Sequence, residues 1–155
     1  MPERIPSCAS LALASIAMDG EATAVSDMSA DQFADFTEQM RLLVAEESHL
    51  WEFPAGSRDL VGDDQWLHHG PWRQEDCSAA VHLWFDAGLV FLLRRWPEDQ
   101  SLGTSEARAV LAAPESWVMS GDGSANAPVA LLSTEAGEAL AWDDWRSMLS
   151  ALRKG

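Results

Sequence analysis

The sequence has few cysteines and lysines, no tyrosine and no long apolar run. Its 155 residues include two cysteines, Cys8 and Cys77, and a single lysine, Lys154. Two cysteines allow at most one bridge, which excludes a disulfide framework and is typical of a reducing compartment. No apolar stretch approaches the roughly 20 residues that span a bilayer. We therefore expect a cytoplasmic protein that does not insert into a membrane.

Positive charge is also scarce, because ten Lys and Arg residues stand against 25 Asp and Glu, a formal net charge of −15. A polyanion of this density repels phosphate backbones and anionic lipid heads, so we expect no nucleic-acid or membrane-surface partner. Such a charge costs folding free energy through self-repulsion. A cationic protein partner would explain that cost, and solubility alone is the alternative explanation.

The length fits one domain, and the hydrophobic content of 47 % is enough for a core. Residues 1–28 are rich in Ala and Ser, and we predict a flexible N-terminal arm there and a single domain over 29–155. A short helix that docks on a partner is the alternative for the arm. Ser10–Met18 is too short and too polar for a secretory signal, since Asp19 and Glu21 follow it.

A capping box marks the start of the first helix. In Ser29-Ala30-Asp31-Gln32 the Ser29 hydroxyl can accept the Gln32 N–H while the Gln32 amide reaches back to Ser29. This pattern predicts a helix from about 30 to 47. Its apolar stripe follows spacings of three and four, at Phe33, Phe36, Met40, Leu43 and Val44.

Apolar runs bounded by Gly and Pro predict strands in the middle of the chain. We place strands at 50–53 and 65–69, and a central hairpin with arms 80–85 and 89–96 around Asp86-Ala87-Gly88. Both arms carry large side chains in alternate directions, so we expect helices to cover the hairpin on at least one side.

The C-terminal third predicts a helix near 105–113, strands at 116–120 and 128–132, and a last helix over 141–153. The last helix has acidic residues early and basic residues late, which matches the helix dipole. The whole pattern predicts an α+β fold, with an antiparallel twisted sheet of about five strands flanked by three helices.

The chemistry-bearing residues form no catalytic or metal-binding motif. His68 and His69 would point to opposite faces of a strand, which disfavours a shared metal. Cys77 and His82, taken as strand residues, would lie too far apart for a nucleophile and its base. We expect no enzyme activity, no metal and no cofactor. An enzyme with an unrecognised site is an alternative, which predicts a deep pocket with perturbed titratable groups.

Eight tryptophans are more than a core of this size normally uses. We expect Trp84, Trp96 and Trp145 in the core. Three others, Trp51, Trp66 and Trp72, stand among charged residues, as anchor residues of protein interfaces do. For these three, a place in the core and a place in an interface are equally favoured.

The element order from Ser29 to Lys154, the length and the low isoelectric point resemble class I type III secretion chaperones. These small acidic proteins escort effectors to a bacterial injection apparatus. Their order of elements, α-β-β-β-α-β-β-α, is similar to the one predicted here. The ending Trp145-Arg146…Leu149…Leu152 is similar to their closing amphipathic helix. Among the branches of the family, the broad-specificity effector chaperones of plant-pathogenic bacteria are the nearest in size.

The resemblance implies a homodimer that binds the unfolded N-terminal segment of secreted effectors, without ATP, and delivers them to the secretion apparatus as a virulence factor. It implies a partner-binding surface along the first helix and the strand at 50–53, to which the three ambiguous tryptophans are added: Phe33, Phe36, Met40, Trp51, Phe53, Trp66 and Trp72. It places the dimer contact at Val110, Leu111, Trp117 and Met119. The alternative is an immunity protein that neutralises a folded cationic toxin, since such proteins are also small and acidic.

Overall fold

The architecture comes from a computed structural model, which describes residues 22–119 and 129–154. In this part of the chain the helices are α1 (Ala30–Ala45), α2 (Glu52–Ala55), α3 (Gln74–Asp86), α4 (Thr104–Ala112), α5 (Glu135–Ala139) and α6 (Trp142–Met148). The strands are β1 (Ser57–Gly62), β2 (Gln65–His69), β3 (Val90–Arg94), β4 (Gln100–Ser101) and β5 (Val129–Ser133). Short 3₁₀ turns occupy Val25–Asp27, Pro114–Trp117 and Leu149–Arg153.

The strands form two separate antiparallel sheets. One is the hairpin β1–β2, and the other has the order β4-β3-β5 with Leu92 opposite Leu131. The outer edge of β5 is covered by the chain that follows α1, since the Leu50 N–H donates to the Val129 carbonyl at 3.0 Å and the Leu131 N–H to the Ser48 carbonyl at 3.0 Å. The mixed α+β character is confirmed. The predicted single sheet of five strands with three helices is not what the chain forms.

The first helix begins as predicted. The Gln32 N–H donates to Ser29 Oγ at 3.1 Å and the Ser29 N–H to Gln32 Oε1 at 2.8 Å, so the capping box is complete. The helix ends at Ala45, two residues before the predicted limit, and Glu47 adopts a φ of 56°.

The predicted hairpin of 80–85 with 89–96 is wrong, because its first arm is the helix α3. Within α3 the residues Cys77, Ala80, Val81 and Trp84 are buried at helical spacing on one face. A short apolar run fits a buried strand and a buried helix equally well, and here the acidic first turn with Glu75 and Asp76 favours the helix. The second arm is confirmed as β3.

Two further predicted strands are also wrong. The segment 50–53 forms a turn that continues into α2, with the Phe53 N–H donating to the Leu50 carbonyl at 3.1 Å. The segment 116–120 overlaps the 3₁₀ turn Pro114–Trp117, which Pro114 opens at a position where its missing N–H is no loss. By contrast, the predictions at 65–69, 105–113, 128–132 and 141–153 correspond to β2, α4, β5 and the α6 region.

The core lies where α3, α6 and the three-stranded sheet meet. Trp84 and Trp145 are fully buried as predicted and touch edge to face, with ring centroids 5.1 Å apart. The Trp84 indole N–H donates to the Trp145 carbonyl at 3.1 Å, and the Trp145 indole N–H donates to the Gly137 carbonyl at 2.9 Å. Trp96, which we expected in the core, is 67 % exposed just beyond β3.

An arginine completes the contact between α1 and α6. The guanidinium of Arg41 lies 4.4 Å from the ring centroid of Trp142 and 4.1 Å from that of Trp145. Its Nε and Nη1 are buried and have no hydrogen-bond partner among the described residues. Burial lowers the pKa of Arg41, and the charge of Glu138 opposes that shift. The cation is therefore held by aromatic faces rather than by hydrogen bonds.

The predicted arm 1–28 lies partly outside the described residues, which begin at 22. Val25 and Met28 are buried, and the Val25 N–H donates to the Asp76 carboxylate at 2.9 Å. Arg153 donates to the Val25 carbonyl at 3.3 Å and to the Met28 carbonyl at 2.7 Å. The last residues of the predicted arm are thus fastened between α3 and the C-terminal turn.

Over residues 22–119 and 129–154, none of the helices combines the length and the apolar character that crossing a bilayer requires.

Candidate binding surface

The β1–β2 hairpin exposes its apolar side chains to solvent. Every residue from Ser57 to His68 is exposed, and the fractions are 59 % for Leu60, 60 % for Val61, 46 % for Trp66 and 50 % for Leu67. Single exposed apolar residues are ordinary, whereas four on one two-stranded hairpin, with Leu60 and Trp66 side by side as register partners, indicate an interaction surface. We call these four residues the hairpin patch.

Register divides the hairpin into two faces. Leu60 pairs with Trp66 and Arg58 with His68, so these four side chains share the outer face. The guanidinium of Arg58 lies 4.4 Å from the centroid of the Trp66 ring, which holds the ring in place. The inner face contains Ser57, Asp59, Leu67 and His69. A bulge between Leu60 and Gly62 precedes the tip, Asp63-Asp64, where Asp64 has a φ of 59°.

A glycine before β1 allows the first strand of the hairpin to begin close to the end of the second strand. Gly56 has a φ of 79°, and a side chain there would collide with the carbonyl oxygen of His69. Because Gly56 has no side chain, the backbone before β1 can lie directly against the end of β2 at His69.

His69 fastens the base of the hairpin to α1. Its Nδ1 lies 2.8 Å from Asp35 Oδ1 and its Nε2 lies 3.0 Å from Asp59 Oδ2. Ser57 Oγ donates to Gln39 Oε1 at 3.2 Å beside it. Because carboxylates only accept, both contacts are hydrogen bonds at once only when the imidazole is protonated.

The electrostatics of this cluster favour the charged ring. Burial alone disfavours imidazolium, but the hydrogen bonds and negative charges of Asp35 and Asp59 outweigh burial and raise the pKa of His69. Asp35 comes from α1 and Asp59 from β1, so the protonated ring joins the helix and both strands of the hairpin.

The predicted partner-binding residues do not form one surface. Phe36, Met40, Phe53 and Trp72 are buried in the core, where the Phe36 and Trp72 rings touch edge to face at 5.3 Å. These four side chains pack inside the molecule and present no surface to a partner. Phe33 and Trp51 are partly buried, and Trp66 alone among the seven is exposed.

The predicted dimer residues have mixed positions. Leu111 and Trp117 are buried, Val110 is partly buried, and Met119 is 58 % exposed. The Trp117 indole N–H donates to the Leu111 carbonyl at 3.0 Å, which ties the 3₁₀ turn to the end of α4. Val118, beside Met119, is also exposed.

An open groove runs between α3 and the α4 region. Its volume is about 560 Å³, and we call it the α3–α4 groove. The lining from α3 is Gln74, Glu75, Ser78, Ala79, His82, Leu83 and Asp86, and the opposite wall is Leu111, Ala112, Pro114, Trp117 and Leu152.

Two polar groups of this groove, Ser78 and His82, are already engaged with the backbone. Ser78 Oγ donates to the Leu111 carbonyl at 3.1 Å, and His82 Nδ1 donates to the Ser78 carbonyl at 2.9 Å. Nδ1 therefore carries the proton of a neutral His82 ring, and Nε2 is an acceptor. Cys77 is buried, and burial raises the pKa of its thiol, so it is not an activated nucleophile. Residues 22–119 and 129–154 contain no group of three or more His, Cys, Asp or Glu side chains arranged to hold a metal ion.

Sequence reasoning missed Leu60, Val61 and Leu67 of the hairpin patch, and it missed Asp35, which attaches the hairpin to α1. Leu60 and Val61 gave no separate signal because a bulge between Leu60 and Gly62 makes β1 irregular. The partner of His69 lies 34 positions away in α1, and no local pattern connects Asp35 to it. The available signal was the short run Gln65–His69 ended by Gly70-Pro71, which predicted β2.

Comparison of the chain with protein-family models, with curated proteins and with solved structures finds no match.

Proposed function

We propose that this protein works by binding a basic polypeptide, without catalysis, and that the β1–β2 hairpin makes the primary contact. The observation that carries the proposal is the hairpin patch, four large apolar residues on an element that is exposed along nearly its whole length. Burying such residues against a partner stabilises a complex by roughly 1.5–3 kcal/mol for each side chain that becomes fully covered.

Strand addition is the binding mode that the hairpin favours. Among the described residues, β1 and β2 pair only with each other, so each strand has an outer edge of N–H and carbonyl groups. An extended segment can join such an edge through main-chain hydrogen bonds, with its side chains against Leu60 and Trp66. The outer edge of β5 is already covered by residues 48–50.

Charge favours a basic segment as the occupant. Asp59, Asp63 and Asp64 are exposed on the hairpin, on a chain whose formal charge is −15. Complementary charge speeds the encounter and makes it salt-sensitive. Association should therefore weaken as ionic strength rises.

Within this proposal, the narrower role is that of a cytoplasmic chaperone for the N-terminal segments of secreted effectors. The single predicted sheet is not formed and the predicted lining is largely core, so strand addition at the hairpin is the remaining support for this role. A homodimer is proposed with it, and the side chains free to make that contact are Val118 and Met119.

A second candidate is an immunity protein that binds a folded cationic toxin. Trp66, held by Arg58 on a projecting element, has the composition of an interface anchor that fills a pocket in a folded partner. The two candidates differ in the state of the partner, since a chaperone binds an isolated extended peptide and an immunity protein requires the folded domain.

The test compares two variants by titration calorimetry against the proteins encoded beside this gene, and against peptides covering their N-termini. Leu60→Ser with Trp66→Ser removes the outer face of the hairpin, and Trp96→Ser, which removes an exposed tryptophan just beyond β3, is the control on another surface. We expect the hairpin variant alone to lose binding. Equal affinity of both variants would remove the hairpin from the function, and binding only to a folded domain would select the immunity role.

A further inference from the structure

We propose that His69, Asp35 and Asp59 form a proton-dependent latch at the base of the β1–β2 hairpin. The protonated ring of His69 holds Asp59 of β1 beside Asp35 of α1, and loss of one proton from the ring releases Asp59 to solvent. This inference adds a means of regulation to the hairpin, and its consequence for a basic partner rests on the proposed function.

The two contacts of the ring need two protons. Imidazolium has two N–H donors, and each of them faces a carboxylate oxygen, at 2.8 Å for Asp35 and 3.0 Å for Asp59. A neutral imidazole has one N–H donor, and its other nitrogen carries an acceptor lone pair. A carboxylate oxygen that faces this lone pair at hydrogen-bond distance is repelled. Deprotonation of His69 therefore makes one of the two contacts unfavourable.

The contact with Asp59 is the weaker of the two. Asp35 presents both of its carboxylate oxygens to Nδ1, at 2.8 and 3.0 Å, and its side chain is 34 % exposed. Asp59 presents one oxygen to Nε2, and its side chain is 67 % exposed. An exposed carboxylate can exchange such a contact for water at little cost. We therefore expect the neutral ring to keep its proton on Nδ1 and Asp59 to leave.

Negative charges on two different elements determine when the latch opens. Burial of the ring disfavours its charge, but the hydrogen bonds and charges of Asp35 on α1 and Asp59 on β1 outweigh burial and raise the pKa of His69. On its own strand, the neighbouring His68 lies on the outer face, where it pairs in register with Arg58. The latch is therefore closed below the raised pKa and opens as pH rises through it.

Opening of the latch changes the surface that a basic partner would meet. The closed cluster has one positive and two negative charges, whereas the open cluster has two negative charges only. The released carboxylate joins Asp63 and Asp64, which are exposed at the tip of the hairpin. Under the proposed function, a basic segment should bind more tightly above the titration of His69 than below it.

The test follows the free protein by NMR, so it gives the same answer whether or not the hairpin binds a partner. The ring nitrogen signals of His69 report its protonation and its tautomer, and the three-bond couplings of the Asp59 side chain report its rotamers. We expect a single Asp59 rotamer below the titration and an average over several rotamers above it, with the remaining ring proton on Nδ1. Asp59 rotamers that stay the same across the titration, or averaging at Asp35 instead, would overturn the proposal.

Three variants distinguish the latch from an ordinary histidine titration. Asp59→Asn, at an exposed position, replaces one of the two negative charges with a neutral amide, so the midpoint of the His69 titration should move to lower pH. In His69→Gln the Asp59 rotamers should no longer change over this pH range. His68→Gln is the matched control on the outer face and should keep the full transition. An unchanged midpoint in Asp59→Asn, or a transition that disappears in His68→Gln, would show that the latch does not exist.

Discussion

Gly137→Ala tests the contact that closes the core. A Cβ at this position would collide with the Leu89 carbonyl oxygen and would lie 2.7 Å from Cζ2 of the Trp145 ring. The carbonyl oxygen belongs to the backbone and cannot move aside. The ring cannot turn freely either, because its indole N–H donates to the Gly137 carbonyl and it packs edge to face with Trp84.

The magnitude follows from three contributions. Overpacking of a tight core costs about 1–3 kcal/mol, and a backbone collision favours the upper half of that range. A weakened Trp145 hydrogen bond costs about 1 kcal/mol. The better helix propensity of alanine in α5 returns about 1 kcal/mol. The free energy of unfolding should therefore fall by about 2–3 kcal/mol, which lowers the Tm of a chain of this length by about 4–12 °C.

The assay is urea unfolding followed by far-ultraviolet circular dichroism, with Gly103→Ala as the matched control. Gly103 precedes α4 with a φ of −68°, and nothing lies within 4 Å of an added Cβ. The control should stay within about 0.5 kcal/mol of the parent protein. If Gly137→Ala unfolds at the same urea concentration as Gly103→Ala, the described contact of α5 with Trp145 is incorrect.

Three further predictions concern single side chains. Because the folded pKa of His69 is raised, its stabilisation is complete below its ordinary pKa of 6.5 and is lost as pH rises through the raised value. His69→Gln should therefore lower the free energy of unfolding by about 1–2 kcal/mol in acid and by less in alkali. The control His68→Gln, at an exposed position, should change it little. A loss that does not depend on pH would contradict the contacts of protonated His69 with Asp35 and Asp59. Arg41→Met should leave thermal stability equal or raise it by up to about 1 kcal/mol, since it removes buried N–H groups that have no partner among the described residues, and a clear fall in Tm would show that the aromatic contacts dominate. Cys77 should react with a coloured thiol reagent only after unfolding, and rapid reaction in the native protein would contradict its burial.

The sequence predicted those helices and strands whose ends are marked by residues next to them in the chain. The capping box located α1, and the short run ended by Gly70-Pro71 located β2. The acidic start of the last helix, with Asp143 and Asp144, matched α6. In each case the stabilising interaction lies within a few residues of the pattern that indicates it.

The errors came from segments whose conformation depends on distant contacts. The run 80–85 is apolar except at His82, and as the helix α3 it packs Trp84 against the distant Trp145. Trp96 follows a buried strand in sequence, yet the strand ends before it and leaves the ring in solvent. A short apolar run fits a buried strand and a buried helix equally well, so periodicity within such a run does not decide between them.

The candidate surface could be predicted only in part. Trp66 stood out because an aromatic ring was surrounded by charges. Asp35 did not, because a carboxylate in the first turns of a helix already has an ordinary explanation in the helix dipole. The role of Asp35 emerges only when the hairpin folds back onto α1.

The edge-to-face pair of Trp84 and Trp145 gives the protein an internal optical reporter. Two indoles held 5.1 Å apart at an interplanar angle of 72° interact as coupled chromophores. One ring belongs to α3 and the other to α6, and the chain has no tyrosine to obscure the indole bands. The exciton signal of this pair should therefore disappear when the C-terminal helix separates from the core, so that its detachment can be followed without any attached dye.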